Sequence, residues 1–180
     1  MTTDEFWEKL EFSYLVTYSF NRGPKLAALQ EAAKALSQQT RRKLLTATSA
    51  QLPALREHLR LLERTYDLDL LPLTQGGTAF HVTASPVARI ENDTDVAQKL
   101  AAILQAPVIN QMHWMCGPTY RDAITFYDEE HRLVSVLNIC FTCDQMVTDT
   151  GVEIAADTNA YQALSSYLAQ LGHQIVAGEL

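Results

Sequence analysis

Residues 120–141 constrain this chain more than any other stretch. Two long apolar runs, Tyr120 to Tyr127 and Leu133 to Phe141, are separated only by the polar Asp128 to Arg132. Runs rich in β-branched and aromatic residues around a short polar loop predict a β-hairpin. With Glu130 at the apex, Phe126 faces Val134, Ile124 faces Val136 and Asp122 faces Asn138. Apolar then meets apolar and polar meets polar, as cross-strand pairing favours. Both faces of this hairpin carry apolar side chains, so it is expected at the centre of a sheet covered on two sides.

The remaining segments supply partners for that hairpin. Phe12 to Phe20 alternates aromatic and β-branched residues and predicts a strand. Asn21-Arg22-Gly23 turns the chain, and Pro24 precedes Leu26, Leu29, Ala33 and Leu36 at helical spacing. A second helix follows from Leu52, Leu55, Leu59, Leu62 and Tyr66, whose apolar stripe reads as core. Leu68 to Leu73 and Thr78 to Ala84 flank Gln75-Gly76-Gly77 and predict another hairpin. Asn92-Asp93-Thr94 offers capping oxygens for a short helix carrying Val96, Leu100, Ile103 and Leu104 and stopped by Pro107, and Val108 to Met112 reads as a brief strand. Asp157 can cap a last helix that turns Tyr161, Leu164, Leu168 and Leu171 inward and ends at Gly172. The expected fold is α+β: a largely antiparallel sheet with the 120–141 hairpin at its centre, covered by about four helices.

Size and composition fit one globular domain over residues 1–180, with a subdomain junction conceivable near residues 85–93, where Pro86 and a polar run fall. A chain of 180 residues, 47% hydrophobic, builds a core without help from disulfides or metals. Fourteen Lys and Arg against 21 Asp and Glu give a net charge of −7, which disfavours a nucleic-acid backbone as partner. No run is long and apolar enough for a membrane helix, and Met1 to Glu8 carries acids where a secretory leader would be basic and then apolar. The expected location is therefore the cytoplasm, which three cysteines also suit better than a disulfide framework would. Arg41-Arg42-Lys43 reads as a solvated helix end, an isolated basic run in an acidic chain.

The residues that could carry chemistry are few. His113-x-x-Cys116 and Cys140-x-x-Cys143 would be brought together by the central hairpin, and three thiolates with one imidazole are a set that structural zinc accepts. In an extended strand, residues 140 and 143 point to opposite faces, so one ion could take both only if the strand ended or bulged between them. The same sulfurs admit thiol redox chemistry, with Cys116 and Cys143 expected within disulfide or ligand distance. The simplest reading makes them buried small hydrophobes, with no cofactor.

A cysteine nucleophile would need Cys116 with His113 or His81 and Asp122, and an enzyme built on Tyr120, Arg121 and Asp122 is a further option. Asp122 is notable because a carboxylate in a central strand needs a partner; the expected one is Asn138 across the hairpin. His58, His131 and His173 read as surface residues near helices or turns. Two readings of function remain open. The first is a small acidic protein without catalysis that binds another protein as an adaptor or immunity-like module, with self-association open. The second is a cysteine-centred site, binding zinc or exchanging thiols.

Overall fold

The computed structural model describes residues 1–65, 71–74, 79–109 and 117–175. In chain order these form α1 (Thr3–Glu8), β1 (Tyr14–Ser19), α2 (Gly23–Leu44), α3 (Leu52–Arg64), β2 (Ser85–Glu91), α4 (Asp95–Leu104), β3 (Asp122–Tyr127), β4 (Leu133–Cys140), β5 (Gln145–Thr148), β6 (Glu153–Ile154) and α5 (Thr158–Gln170). The strands make one six-stranded antiparallel sheet in the order β2-β1-β3-β4-β5-β6. The α+β class and the central position of the β3–β4 hairpin agree with the sequence.

Local chemistry explains most of these boundaries. Thr94 and Asp157 accept hydrogen bonds from the backbone N–H groups of Ala97 and Ala160, at 3.2 and 3.0 Å, and so start α4 and α5. α1, which the sequence reading did not contain, is closed by Glu5, whose carboxylate accepts from the Thr2 N–H at 3.1 Å. Backbone bonds between Met1 and Ala155 and between Thr3 and Ala155 then tie it beside β6.

The sheet is covered on both faces. On one, Leu15, Ile124, Leu137, Ile139 and Met146 pack against α1, α4 and α5. On the other, Ala123, Val136 and Cys140 gather with Phe20, Leu73, Tyr120 and Cys143, so loop side chains cover what helices do not.

Four expectations are corrected. The register of β3 against β4 is one residue off: Ile124 faces Leu137 and Asp122 faces Ile139, with an irregularity between Phe126 and Tyr127 that absorbs the difference. Because side chains alternate, one residue of slip moves Asn138 to the opposite face from Asp122. Residues 85–91 form the edge strand β2, where Pro86 sits opposite Tyr18 at a bulge in the pairing with β1. Proline is tolerated there because an edge strand leaves one row of N–H groups unused.

The hairpin expected around Gln75-Gly76-Gly77 is not formed by the described residues of that stretch: 71–74 and 79–84 are bends and turns, and the remainder lies outside the described residues. Of the brief strand expected at Val108 to Met112, residues 108 and 109 are irregular and the rest again lies outside. Finally, α3 is not core. None of its residues is buried, although its apolar spacing is the clearest in the N-terminal half.

Candidate functional site

The Asp122 carboxylate lies at the start of β3 on the helix-covered face, 2% exposed. Two separate segments converge on it. At the end of β1 the chain reverses through Asn21 and Gly23, with φ of 53° and 81°. The left-handed region is open to glycine and tolerated by asparagine, so this pair can make the turn without heavy strain. The turn presents Arg22, whose Nη2 donates to Asp122 Oδ2 at 2.5 Å and to the Arg121 carbonyl at 3.0 Å, while Nη1 donates to the Gln174 carbonyl.

Asn21 fixes the turn from the other side. Its Nδ2 donates to the Leu71 and Tyr120 carbonyls at 2.9 and 2.7 Å. The second segment is the end of α5. The N–H of Gly172 bonds to the Ala169 carbonyl and that of His173 to the Leu168 carbonyl, with Gly172 at φ 103°. This Schellman closure swings His173 under the sheet. Its Nδ1 then meets Asp122 Oδ1 at 2.6 Å, and its side chain is fully buried.

His173 was read as a surface residue and is instead at the centre of this network. What the sequence did hold was Gly172 as the end of a helix, which marks where the chain turns but not what His173 meets. The expected Asp122 to Asn138 bond is absent. Asn138 faces the other side, accepting from the Leu73 N–H at 2.7 Å and donating to the Val147 carbonyl at 3.1 Å.

An aspartate orienting an imidazole through Nδ1 is half of a hydrolytic triad, in which Nε2 would face a nucleophile. Here His173 Nε2 is buried without a hydrogen-bond partner among the described residues. No hydroxyl or thiol among the described residues stands ready to be activated by it. One carboxylate thereby joins the β1–α2 turn, β3 and the tail of α5.

The cysteine constellation is seen from one side only, because His113 and Cys116 lie outside the described residues. β4 ends at Cys140 and a four-residue turn leads into β5, with Asp144 at φ 45°. The strand therefore stops between the two cysteines, and both sulfurs enter the same apolar cluster instead of pointing to opposite faces. Cys140 is a free, buried thiol. Cys143 is disulfide-bonded, and its Sγ lies 3.7 Å from the Gly117 carbonyl oxygen.

Nearby, burial and then the Cys140 charge push the Tyr120 hydroxyl up to about 12. His81 is buried with Nδ1 2.8 Å from Thr83 Oγ1, and His131 Nδ1 lies 3.2 Å from the Tyr14 hydroxyl. His81 does not approach Asp122 as a catalytic set would require, since both carboxylate oxygens of Asp122 go to Arg22 and His173.

A different kind of feature emerges from α2 and α3. They pack against each other as a helical hairpin, and among the described residues no other helix or strand packs extensively on either. α2 alone is about 33 Å long at 1.5 Å per residue. Leu26, Ala33, Ser37 and Thr40 are its buried residues. Leu36, Leu45 and Leu61 stand exposed on this arm, Leu45 at 86%.

Residues 23–65 carry eight basic side chains against three acidic ones, a net of +5, whereas the rest of the chain carries six against eighteen, a net of −12. Arg41-Arg42-Lys43 is therefore not an isolated run but the tip of a basic arm on an acidic body. Two of the arm's cations are held internally, Arg41 by Glu63 at 2.9 Å and Arg60 by Glu57 at 2.7 Å. The hydrogen bond from Arg60 keeps the Glu57 carboxyl below its ordinary value. Arg42, Lys43, Arg56 and Arg64 have no ion-pair partner among the described residues.

At the opposite end of β1, a groove of about 620 Å³ runs between the α1–β1 connection and the β3–β4 turn. It is lined by Glu11, Asp128, Glu129 and Glu130, by Lys9 and Arg132, and by the apolar Phe12 and Val134. Arg132 is engaged by Asp128 and Glu130 at 2.7 and 2.8 Å, which leaves Glu11 and Glu129 facing solvent. Among the described residues no helix is long and apolar enough to cross a membrane. Comparison with family models, curated proteins and solved structures gives no match.

Proposed function

We propose that this chain is a protein-binding module without catalysis, and that the α2–α3 arm is its binding element. The observation that supports this reading is the amphipathic α3 with no buried residue, on an arm that leaves Leu36, Leu45 and Leu61 open to solvent. Apolar surface kept in water costs free energy, which covering by a partner recovers. The arm contributes little to the sheet's own core, so its helices are free to serve a partner. Exposed leucines beside the cations suit a partner that is itself part apolar and part acidic, as a protein surface is.

The test is site-specific photo-crosslinking in cells, with the probe at Leu45 or Leu61 on the arm and at Val152 on the body as reference. Discrete protein adducts from the arm positions alone are expected. Equal or absent adducts at all three would sink the reading.

A second reading keeps the cysteines as a thiol-exchange site. It is favoured by one observation: a disulfide-bonded Cys143 and a free Cys140 share one cluster across a tight turn. Attack by the Cys140 thiolate on Cys143 would form a new S–S bond and release the displaced sulfur as thiolate. The zinc version of this site would need Cys143 reduced, since a sulfur in a disulfide offers no thiolate. Metal content and thiol titration, before and after reduction, separate the two: bound zinc in reduced protein supports the metal site, and its absence with exchangeable thiols supports exchange.

A further inference from the structure

We propose that the occupant of the arm is a second copy of this chain, and that the arm tip seats in the acidic groove beside Phe12. This inference rests on the reading of the arm as a binding element and names its partner. The tip offers two cations without ion-pair partners among the described residues, Arg42 and Lys43, next to the most exposed leucine, Leu45. The groove offers the complement: Glu11 and Glu129 face solvent, and Phe12 with the 41% exposed Val134 supplies an apolar floor and rim.

The tip thus pairs cations with an exposed apolar side chain, and the groove pairs carboxylates with apolar ones. A net of +5 on the arm against −12 elsewhere also makes copies attract arm to body. The arm leaves the sheet at the end of β1 and the groove lies at its beginning. Arm and groove therefore sit at opposite ends of one strand, an arrangement suited to exchange between molecules. If each of two copies places its tip in the other's groove, the contact is made twice and the assembly closes as a twofold dimer.

The experiment is sedimentation equilibrium of the full chain over a wide concentration range, at physiological and at high ionic strength. A dimer weakened by salt is expected. The variant R42E/K43E and, separately, the variant E11K/E129K should each raise the dimer dissociation constant on the order of tenfold or more. All four positions are exposed, and circular dichroism and thermal unfolding check that both variants stay folded.

Mixing the two variants should restore a one-to-one heterodimer, because each altered arm then meets an altered groove. A chain that remains monomeric at every concentration overturns the proposal, as does a dimer indifferent to both charge reversals. A monomer whose Leu45 probe still captures another protein would overturn the second copy while sparing the binding reading. A monomer with no arm adduct would remove both.

Discussion

Asp122 and His173 are 51 residues apart in sequence and share a buried hydrogen bond of 2.6 Å, with Arg22 bonded to the other carboxylate oxygen. This pairing answers a question that any central-strand carboxylate raises, namely what offsets its loss of water. The answer is a cation from one end of the chain and an imidazole from the other. The C-terminal end of α5 is thereby fastened to the middle of the sheet, and the base of the arm is fastened at the same point.

Replacement of Asp122 should accordingly be a stability mutation. Asp122→Asn keeps the shape and removes the charge, leaving Arg22 beside a neutral amide. The expected loss is about 2–4 kcal/mol in urea unfolding, in line with breaking one partner of a buried pair. A Arg22→Met, Asp122→Asn double-mutant cycle should show strong coupling. A loss within experimental error of wild type would contradict the clamp.

The difference between what the residues announced and what the chain does follows from range. β1, the α2 and α3 helices, α4, α5 and the β3–β4 hairpin follow from local periodicity and caps such as Thr94 and Asp157. The short strands β5 and β6 have no such period to display, and α1 is only six residues long. The slip in register came from assuming a regular loop, whereas the irregularity at Phe126 and Tyr127 shifts every later pair by one. That single residue decides whether Asp122 meets Asn138 or His173. The burial of His173 depends on a helix end meeting a strand far away in sequence, which no window of neighbours contains. The arm was hidden differently, because the apolar stripe of α3 looks the same whether it is covered by a core or only by α2. Summing charge over residues 23–65 separately was the one signal that pointed outward.

Asn138 should prove to be a second fastening point, on the opposite face. It is fully buried, accepting from Leu73 and donating to Val147, so it holds the 71–74 segment over the sheet. Asn138→Ala leaves the Leu73 N–H and the Val147 carbonyl without this partner and should cost about 1–3 kcal/mol. The specific readout is hydrogen exchange. The Leu73 amide should lose most of its protection while the amides of β1 and β3 keep theirs, and uniform loss of protection would instead indicate general destabilisation.

The two described cysteines should respond differently to alkylation. Cys140 is buried and free, so it should resist the reagent in the folded protein and react once the chain unfolds, without reductant. Cys143 is disulfide-bonded and should stay unmodified after unfolding until a reductant is added. Tandem mass spectra of the peptide containing both locate the label. Modification of Cys143 in unfolded, unreduced protein would show that its disulfide does not form.

Alkaline pH should unfold the chain through its tyrosines. Tyr120 and Tyr167 are pushed up to about 12 from an ordinary 10.0, chiefly by burial, and Tyr18 and Tyr161 are raised further for the same reason, with neighbouring charges adding to it. A phenol whose folded value lies above its unfolded value holds its proton more tightly in the native state. The contribution is therefore intact below pH 10 and is lost as the pH climbs from 10 toward 12, because the unfolded chain then releases protons that the folded chain retains. Four of the seven tyrosines are held this way, so a tyrosinate absorbance titration should show a late phase belonging to these four. That phase should coincide with loss of the far-ultraviolet circular dichroism signal, and Tyr167→Phe should shrink its amplitude. Ionisation of all four near pH 10 while the fold persists would refute the burial that raises them.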